Sequence, residues 1–183
     1  AASSRWKAVG VELCAWAARQ ARERYGVEVI EGTLQEAARP AASCDAVTML
    51  DVIEHLPDPR EAVAEARRIL RPGGALFVLT PDLSAPVARL MGSWWWGLRP
   101  AHLYYFSSVT LAALLEREGF KVRSVRRWGR RFTLGYWISR LHGYAPRATE
   151  VAGKLARTAR LERLPVHVNT FDSVFFAAVK EAS

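Results

Sequence analysis

The sequence predicts an α/β fold in which crossover helices connect the strands of a parallel sheet. Short apolar stretches with the length of buried strands alternate along the chain with segments rich in helix-forming residues. Capping residues precede several of these helical segments, and glycines follow them. With 183 residues, of which 50% are hydrophobic, the chain can bury one substantial core, so a single domain over 1–183 is expected.

The first elements alternate strand with helix. The stretch KAVGVELC, from Lys7 to Cys14, is a predicted buried strand that ends at the acidic residue Glu12. A helix from Leu13 to Tyr25 follows, and Gly26 stops it at a position suited to a left-handed cap. Further strands are predicted at 27–30, 45–50 and 75–81.

The helix between the last two of these strands has clear boundary signals. Asp58 is the expected N-cap, Pro59 takes the first helical position and Glu61 completes a capping box. The Pro-Gly-Gly sequence at 72–74 is expected to end this helix before the next strand begins.

The second half adds a tryptophan-rich loop, a helix and a cap. The helix spans Ser108 to Glu118 and is capped by Gly119. Two late strands are predicted at 121–128 and 173–180, and two helix-like segments, 132–143 and 148–161, lie between them. The sequence therefore predicts a helical cap inserted before the last strand.

Positive charge is concentrated in this cap-like segment, 121–164. Twelve of the 26 lysines and arginines lie between Lys121 and Arg163, with Glu150 and Glu162 as the acidic residues there, whereas the rest of the chain is close to neutral. An anionic partner is therefore expected for this segment alone. Three interpretations stay open: aromatic residues that pack as a cap, contact with an anionic membrane surface, and, ranked last, contact with nucleic acid.

The compartment is inferred from the cysteines and from hydropathy. Cys14 and Cys44 lack the spacing of a metal or redox site, which favours a reduced, cytoplasmic location. Apolar runs long enough to cross a bilayer are missing, so membrane contact would be peripheral, on the inner face. No metal site is predicted.

Two stretches carry a family resemblance. CDAVTMLDVIEHLPDPREAVAEARRILRPGGALFVLTPD and RPAHLYYFSSVTLAALLEREGF resemble class I S-adenosylmethionine-dependent methyltransferases, in the small-molecule branch similar to the enzymes of ubiquinone biosynthesis. The resemblance covers most of Ala8–Val125 and implies a Rossmann-like sheet with S-adenosylmethionine as cofactor. It matches Glu12 to the acid that closes the family's second strand. The first strand and its Gly-x-Gly-x-Gly turn are therefore expected to be missing from this chain, which would leave a gap in the middle of the sheet.

The resemblance also implies cofactor contacts at the ends of successive strands. The residues concerned are Glu12, Gly32, Thr33, Leu34, Asp51 and Val52. Glu12 would accept hydrogen bonds from the two ribose hydroxyls, and its alternative role is that of an ordinary acid at a helix start. Thr33 stands where many members have an aspartate that contacts adenine, so adenine contact and a plain loop stay open as alternatives there.

Residues near the methyl acceptor are expected in two loops. His102 is the candidate general base, because an imidazole can remove a proton from a hydroxyl near neutral pH, and its alternative role is to pin the loop. Further candidates on the substrate side are His55, Trp94, Trp95 and Trp96. The three tryptophans form either a lid over a ligand or a hydrophobic clamp.

The implied reaction is methyl transfer to an oxygen or a carbon of a small molecule, with lipid-linked and phosphorylated acceptors among the candidates. An Asn-Pro-Pro-Tyr type motif, which would favour methylation of an amide or nucleobase nitrogen, does not follow Leu50. Two alternatives are a non-catalytic interaction module and an RNA-modifying enzyme that uses the basic segment.

Overall fold

The computed structural model describes residues 6–168 and 170–181. The strands in this part of the chain are β1 (Val9–Glu12), β2 (Glu28–Glu31), β3 (Cys44–Leu50), β4 (Leu70–Pro81), β5 (Phe120–Arg127), β6 (Arg130–Thr133), β7 (Pro165–Val168) and β8 (Ser173–Lys180). The helices are α1 (Ala15–Tyr25), α2 (Pro59–Ile69), α3 (Pro86–Met91), α4 (Ser108–Arg117), α5 (Leu134–Leu141) and α6 (Pro146–Thr158). Most predicted strands and helices are therefore confirmed to within a few residues.

Four strands form the main sheet, in the order β3-β4-β8-β5. β3 and β4 are parallel, whereas β8 is antiparallel to both β4 and β5. The predicted α/β fold is therefore confirmed, and the sheet is mixed, because β8 departs from the parallel arrangement that the alternation of strands and helices predicted. The physical reason lies in the insertion between β5 and β8. The inserted segment begins and ends at the same edge of the sheet, the one at which β4 ends, because Ser173 at the start of β8 pairs with Pro81 at the end of β4. β8 therefore starts where β4 and β5 end and runs in the opposite direction to both.

β1 and β2 form a separate parallel pair. Val9 pairs with Glu28 and Glu12 with Glu31, and α1 packs against both strands. Gly26, in the left-handed region at a φ of 62°, ends α1 as predicted. Within the described residues no strand pairing joins this unit to β3. This separation of β1–β2 from the main sheet is what the absence of a central strand would produce. The missing strand itself stays a prediction.

The hydrophobic core lies between the main sheet and the helices α2 and α4. One face of the sheet contributes Leu76, Val78, Val174, Phe176 and Ala178, and the helices contribute Val63, Ala66, Leu111 and Leu115. These strand residues alternate in sequence, because successive side chains of a strand point to opposite faces. The core therefore fixes the orientation of β4 and β8, whose ends lie beside the candidate site.

β4 begins five residues earlier than predicted. α2 has its expected N-cap, since the carboxylate of Asp58 accepts a hydrogen bond from the Glu61 N–H at 2.9 Å. The Pro-Gly-Gly sequence, however, lies in a bulge of β4, in which Cys44 pairs with Leu70 and Ala46 already pairs with Ala75. Gly74 is required there, since a Cβ at this position would lie 2.9 Å from the Arg71 carbonyl oxygen.

The predicted cap is present as α5 and α6, and it includes a two-stranded sheet that the sequence did not indicate. β6 and β7 pair antiparallel, from Arg130 opposite Val168 to Thr133 opposite Pro165. Aromatic side chains of the cap pack on one another: the rings of Phe132 and Tyr136 lie 4.1 Å apart, and the Trp137 indole N–H donates to the Val166 carbonyl. No helix among the described residues is long and apolar enough to span a bilayer.

Candidate active site

The candidate site begins at the carboxyl end of β3. Asp51, the residue that follows this strand, has a φ of 54°, in the left-handed region that few non-glycine residues adopt. Its N–H donates to the Leu79 carbonyl of β4 at 2.8 Å, which holds the turn against the sheet. Backbone conformations of this kind are concentrated at functional sites. Val52, the next predicted cofactor residue, is exposed beside it.

Two predicted residues from distant parts of the chain meet at this edge. His55 ends a short 3₁₀ turn, Ile53–His55, and its Nδ1 is hydrogen-bonded to the Ala101 carbonyl at 2.7 Å. The ring centroids of His55 and His102 lie 4.7 Å apart in an edge-to-face arrangement. The structure therefore places His55 and the candidate base His102 in one site.

Glu54 is the site residue that sequence reasoning missed. It is only 2% exposed, and its Oε2 accepts a hydrogen bond from the Thr80 hydroxyl at 3.0 Å. Its carbonyl accepts from the N–H groups of Leu103 and Tyr104, so it also holds the loop that carries His102. The Glu-His dipeptide in the sequence indicated only a turn. The sequence does not show that the Glu54 carboxyl is buried, because its partner Thr80 lies at the end of another strand.

Two buried polar atoms in this site have no hydrogen-bond partner among the described residues, Glu54 Oε1 and His102 Nδ1. Burying polar atoms without partners costs roughly 1–3 kcal/mol each. One Glu54 oxygen and one ring nitrogen from each of His55 and His102 lie within 4.8 Å of one another. The cluster is therefore built to receive a hydroxyl, a proton or a divalent cation, and imidazole with carboxylate is a donor set that transition-metal ions accept.

The surroundings shift the pKa values of two groups in opposite directions. Burial raises the pKa of the Glu54 carboxyl, against the opposing effect of the hydrogen bond from Thr80. Burial, and next the neighbouring His55, lower the pKa of His102, against an opposing effect of the Gly97 backbone. His102 is therefore held in its neutral form at neutral pH, which is the form that can accept a proton.

The loop that carries His102 is pinned at several points. The Tyr105 hydroxyl donates to the Arg99 carbonyl at 2.9 Å and accepts from the Arg99 N–H at 3.2 Å. The His102 N–H donates to the same Arg99 carbonyl. These hydrogen bonds hold the loop through its backbone and through Tyr105, and none of them involves the imidazole ring of His102. The loop can therefore be positioned while the ring remains available for catalysis.

The three predicted tryptophans have different environments. Trp95 is 2% exposed, and its indole N–H donates to Asp172 Oδ2 at 2.9 Å, so this residue is a clamp. Trp94 is 68% exposed and Trp96 is half-buried. Their carbonyls accept hydrogen bonds from Tyr144 and Arg140 of the cap. Trp94 and Trp96 therefore remain candidates for contact with a ligand, while the burial of Trp95 favours the clamp interpretation for that residue.

Buried acids anchor the tryptophan loop to the ends of β4 and β8. Asp82 is 1% exposed in its side chain and lies 3.4 Å from the guanidinium of Arg127. Arg127 also donates to the Phe171 carbonyl, and the Asp82 N–H donates to the Asp172 carbonyl. One arginine of the basic segment, although exposed, thus pairs with a buried acid of the protein itself.

The predicted cofactor residues at the ends of β1 and β2 are held by local hydrogen bonds. Glu12 Oε1 accepts from the Cys14 N–H at 2.8 Å. The Thr33 hydroxyl accepts from the Glu36 N–H, while Glu36 accepts from the Thr33 N–H, and these bonds lower the pKa of Glu36. Gly32 has a φ of 128° beside these residues, and Leu34 packs on the main core. Cofactor contact by these residues stays a prediction.

Comparison with known proteins identifies the family. A family described as "Methyltransferase domain" matches residues 1–125. A Mycolicibacterium smegmatis protein named "Probable S-adenosylmethionine-dependent methyltransferase" is 35% identical over 118 residues, which cover 63% of this chain and 44% of that protein. A ubiquinone biosynthesis O-methyltransferase of Cronobacter sakazakii is 38% identical over 80 residues, 42% of this chain and 32% of the enzyme.

Solved structures give the same answer for the fold. An S-adenosylmethionine-dependent methyltransferase of Thermotoga maritima superposes with a TM-score of 0.63 at 23% identity, over 94% of this chain and 72% of that one. The matched region spans less than half the length of the curated relatives named above. The family match over residues 1–125, the sequence relatives and the Rossmann-like sheet agree, and this chain therefore belongs to the methyltransferase domain family.

Proposed function

We propose that the whole protein transfers a methyl group from S-adenosylmethionine to an oxygen or a carbon of a small molecule, with oxygen preferred. The observation that carries the proposal is the Glu54–His55–His102 cluster beside Asp51, at the carboxyl end of β3. Ligands bind at that edge in open α/β sheets. The similarity to a ubiquinone biosynthesis O-methyltransferase supports an oxygen acceptor.

The chain's own residues would orient the acceptor and remove its proton. When bound, S-adenosylmethionine supplies an electrophilic methyl group on a sulfonium, open to attack in line with the carbon–sulfur bond. His102, neutral because burial lowers its pKa, would accept the proton of an acceptor hydroxyl. The buried, unpartnered Glu54 Oε1 would bind the same hydroxyl or its proton. Trp94 and Trp96 would cover the acceptor from the side of the cap.

Cofactor contacts are assigned to the strand ends. Glu12 would bind the ribose hydroxyls, since a carboxylate that accepts one backbone hydrogen bond keeps lone pairs for more. Gly32, Thr33 and Leu34 would lie along adenine, and Asp51 and Val52 along the methionine part. The division between β1 and β3 supports the further expectation that cofactor binding needs a strand and glycine turn upstream of Ala1.

Calorimetry with S-adenosylhomocysteine tests the cofactor assignment. Residues 1–183 should give little or no heat, and the upstream-extended protein should bind. In the extended protein Glu12→Ala should weaken binding about 10- to 150-fold, which corresponds to roughly 1.5–3 kcal/mol for charge-assisted hydrogen bonds. Glu28→Ala is the matched control, because Glu28 is exposed at the opposite end of β2. Tight binding by residues 1–183 would contradict the need for the glycine turn, and equal affinities of the two variants would remove Glu12 from the site.

The basic segment 121–164 is proposed to contact an anionic membrane surface and to make the protein peripheral to the membrane. The packed aromatic residues, and the hydrogen bonds from Arg127 and Arg140 to backbone carbonyls of the protein, support a cap on the inner side of the segment. A partner is therefore to be sought on its outer side.

A further inference from the structure

The outer side of the cap is formed by α6 and the turn that follows it. Thr149 and Ala156 are the buried residues of α6, which packs against α5. Val151 and Leu155 are four residues apart, so they share a face of the helix, and they are 59% and 65% exposed. Leu161 and Leu164 continue this exposed aliphatic surface beyond the helix.

Basic residues occur in the same helix and in the turn that follows it. Arg147, Arg157, Arg160 and Arg163 are exposed, and in the described part of the chain none of them forms an ion pair. Lys154 pairs with Glu150 at 2.9 Å. The surface, defined here as the α6 surface (Arg147–Leu164), therefore combines uncompensated positive charge with exposed leucine and valine.

We infer that the α6 surface docks on an anionic lipid bilayer, with Val151 and Leu155 inserted between headgroups. This inference rests on the proposed peripheral partner of segment 121–164 and identifies the residues that contact it. A helix that exposes aliphatic side chains, with basic residues on the same helix and in the turn after it, is suited to lie in a membrane interface. Nucleic acid is a weaker match, because single-stranded RNA is bound by stacking on exposed aromatic rings, and the sequence from Arg147 to Leu164 contains no aromatic residue.

Co-sedimentation of the 183-residue chain with vesicles tests the inference. The chain should bind phosphatidylcholine vesicles that contain phosphatidylglycerol, and it should bind pure phosphatidylcholine far more weakly. Arg147→Gln with Arg157→Gln should weaken binding to the anionic vesicles roughly 30-fold, since each arginine near such a surface contributes on the order of a fivefold gain. Raising the salt concentration should weaken wild-type binding. Val151→Ser with Leu155→Ser should weaken binding at any salt concentration.

Matched controls carry the same chemical changes elsewhere. Arg19→Gln with Arg24→Gln removes two exposed arginines of α1, and Leu90→Ser with Val109→Ser removes two exposed aliphatic residues of other helices. Both controls should bind like the wild type. Three results would overturn the inference. The chain could bind both vesicle types equally, or the controls could lose as much binding as the α6 variants. The third is that single-stranded RNA binds more tightly than the vesicles and that the α6 variants lose this RNA binding. Each of these readouts is independent of methyl transfer, so a failure here leaves the proposed reaction untouched.

Discussion

The replacement His102→Ala separates a general base from a structural histidine. In the upstream-extended protein, methyl transfer to an oxygen acceptor should fall by about 10²- to 10⁴-fold in kcat, the usual contribution of a positioned base. The fold should change little, since the backbone hydrogen bond from His102 to Arg99 survives the substitution. The ring contact with His55 is lost, which costs about 1 kcal/mol of the free energy of unfolding.

Tyr105→Phe is the matched control for positioning. It removes two hydrogen bonds between the Tyr105 hydroxyl and the Arg99 backbone, which cost about 1–2 kcal/mol together. The two variants should therefore lose similar stability in urea unfolding, while only His102→Ala loses the catalytic factor. A large loss of kcat in Tyr105→Phe with full stability would instead assign catalysis to the loop geometry.

The pH dependence gives the decisive readout. Burial and His55 lower the pKa of His102, so the neutral imidazole is regained at a pH below the ordinary histidine value of about 6.5. Activity of the wild type and of Tyr105→Phe should rise with pH through that lowered pKa and be level by neutral pH. The assay is transfer of tritiated methyl to a panel of phenols and enols, with an NMR titration of the His102 ring beside it. If His102→Ala shows the same acidic limb as the wild type, His102 is not the base.

Two further predictions concern the anchoring of the tryptophan loop. Gly97→Ala should destabilise the fold by about 1–3 kcal/mol in urea unfolding, because the added Cβ would lie 2.3 Å from the buried ring of Trp95. Gly143→Ala is the control and should be nearly neutral, because its Cβ would have no atom within 4 Å. Equal stabilities of the two variants would contradict the packing argument. Arg127→Gln should cost about 1–2 kcal/mol, since the buried carboxylate of Asp82 loses its cation, although solvent partly screens this exposed arginine. Arg126→Gln, exposed on the same strand, should cost less than about 0.5 kcal/mol. A near-neutral Arg127→Gln would show that Asp82 is compensated by other groups.

Local signals were sufficient to predict most elements of the fold. α1 and α2 have caps that depend only on neighbouring residues, Gly26 and Asp58, and both were located from the sequence. β6 and β7 were missed because Arg130–Thr133 becomes a strand only by pairing with Pro165–Val168, far along the chain. The Pro-Gly-Gly bulge was taken for a helix stop because the pairing of Leu70 with Cys44 is likewise non-local.

In the candidate site, too, some residues could be predicted from the sequence and others could not. His55 and His102 could be selected because both lie in the stretches that carry the family resemblance, and the structure places them together. Glu54 could not be selected, because the sequence alone does not show that Thr80 lies beside its carboxyl. Trp95 could not be distinguished from Trp94 and Trp96 without Asp172, its partner at the start of β8.

The division of the sheet into β1–β2 and a four-stranded part has a consequence for cooperativity. A two-stranded sheet with one helix is marginal by itself, so this unit should open at a lower free energy than the β4–β8 core. Glu12 and the Gly32 loop belong to that weakly coupled unit, while Asp51 and His102 lie on the stable one. A ligand that contacted both would link the two folding units, so that they unfold together. Part of its intrinsic binding free energy would then stabilise the weaker unit and would not appear in the measured affinity.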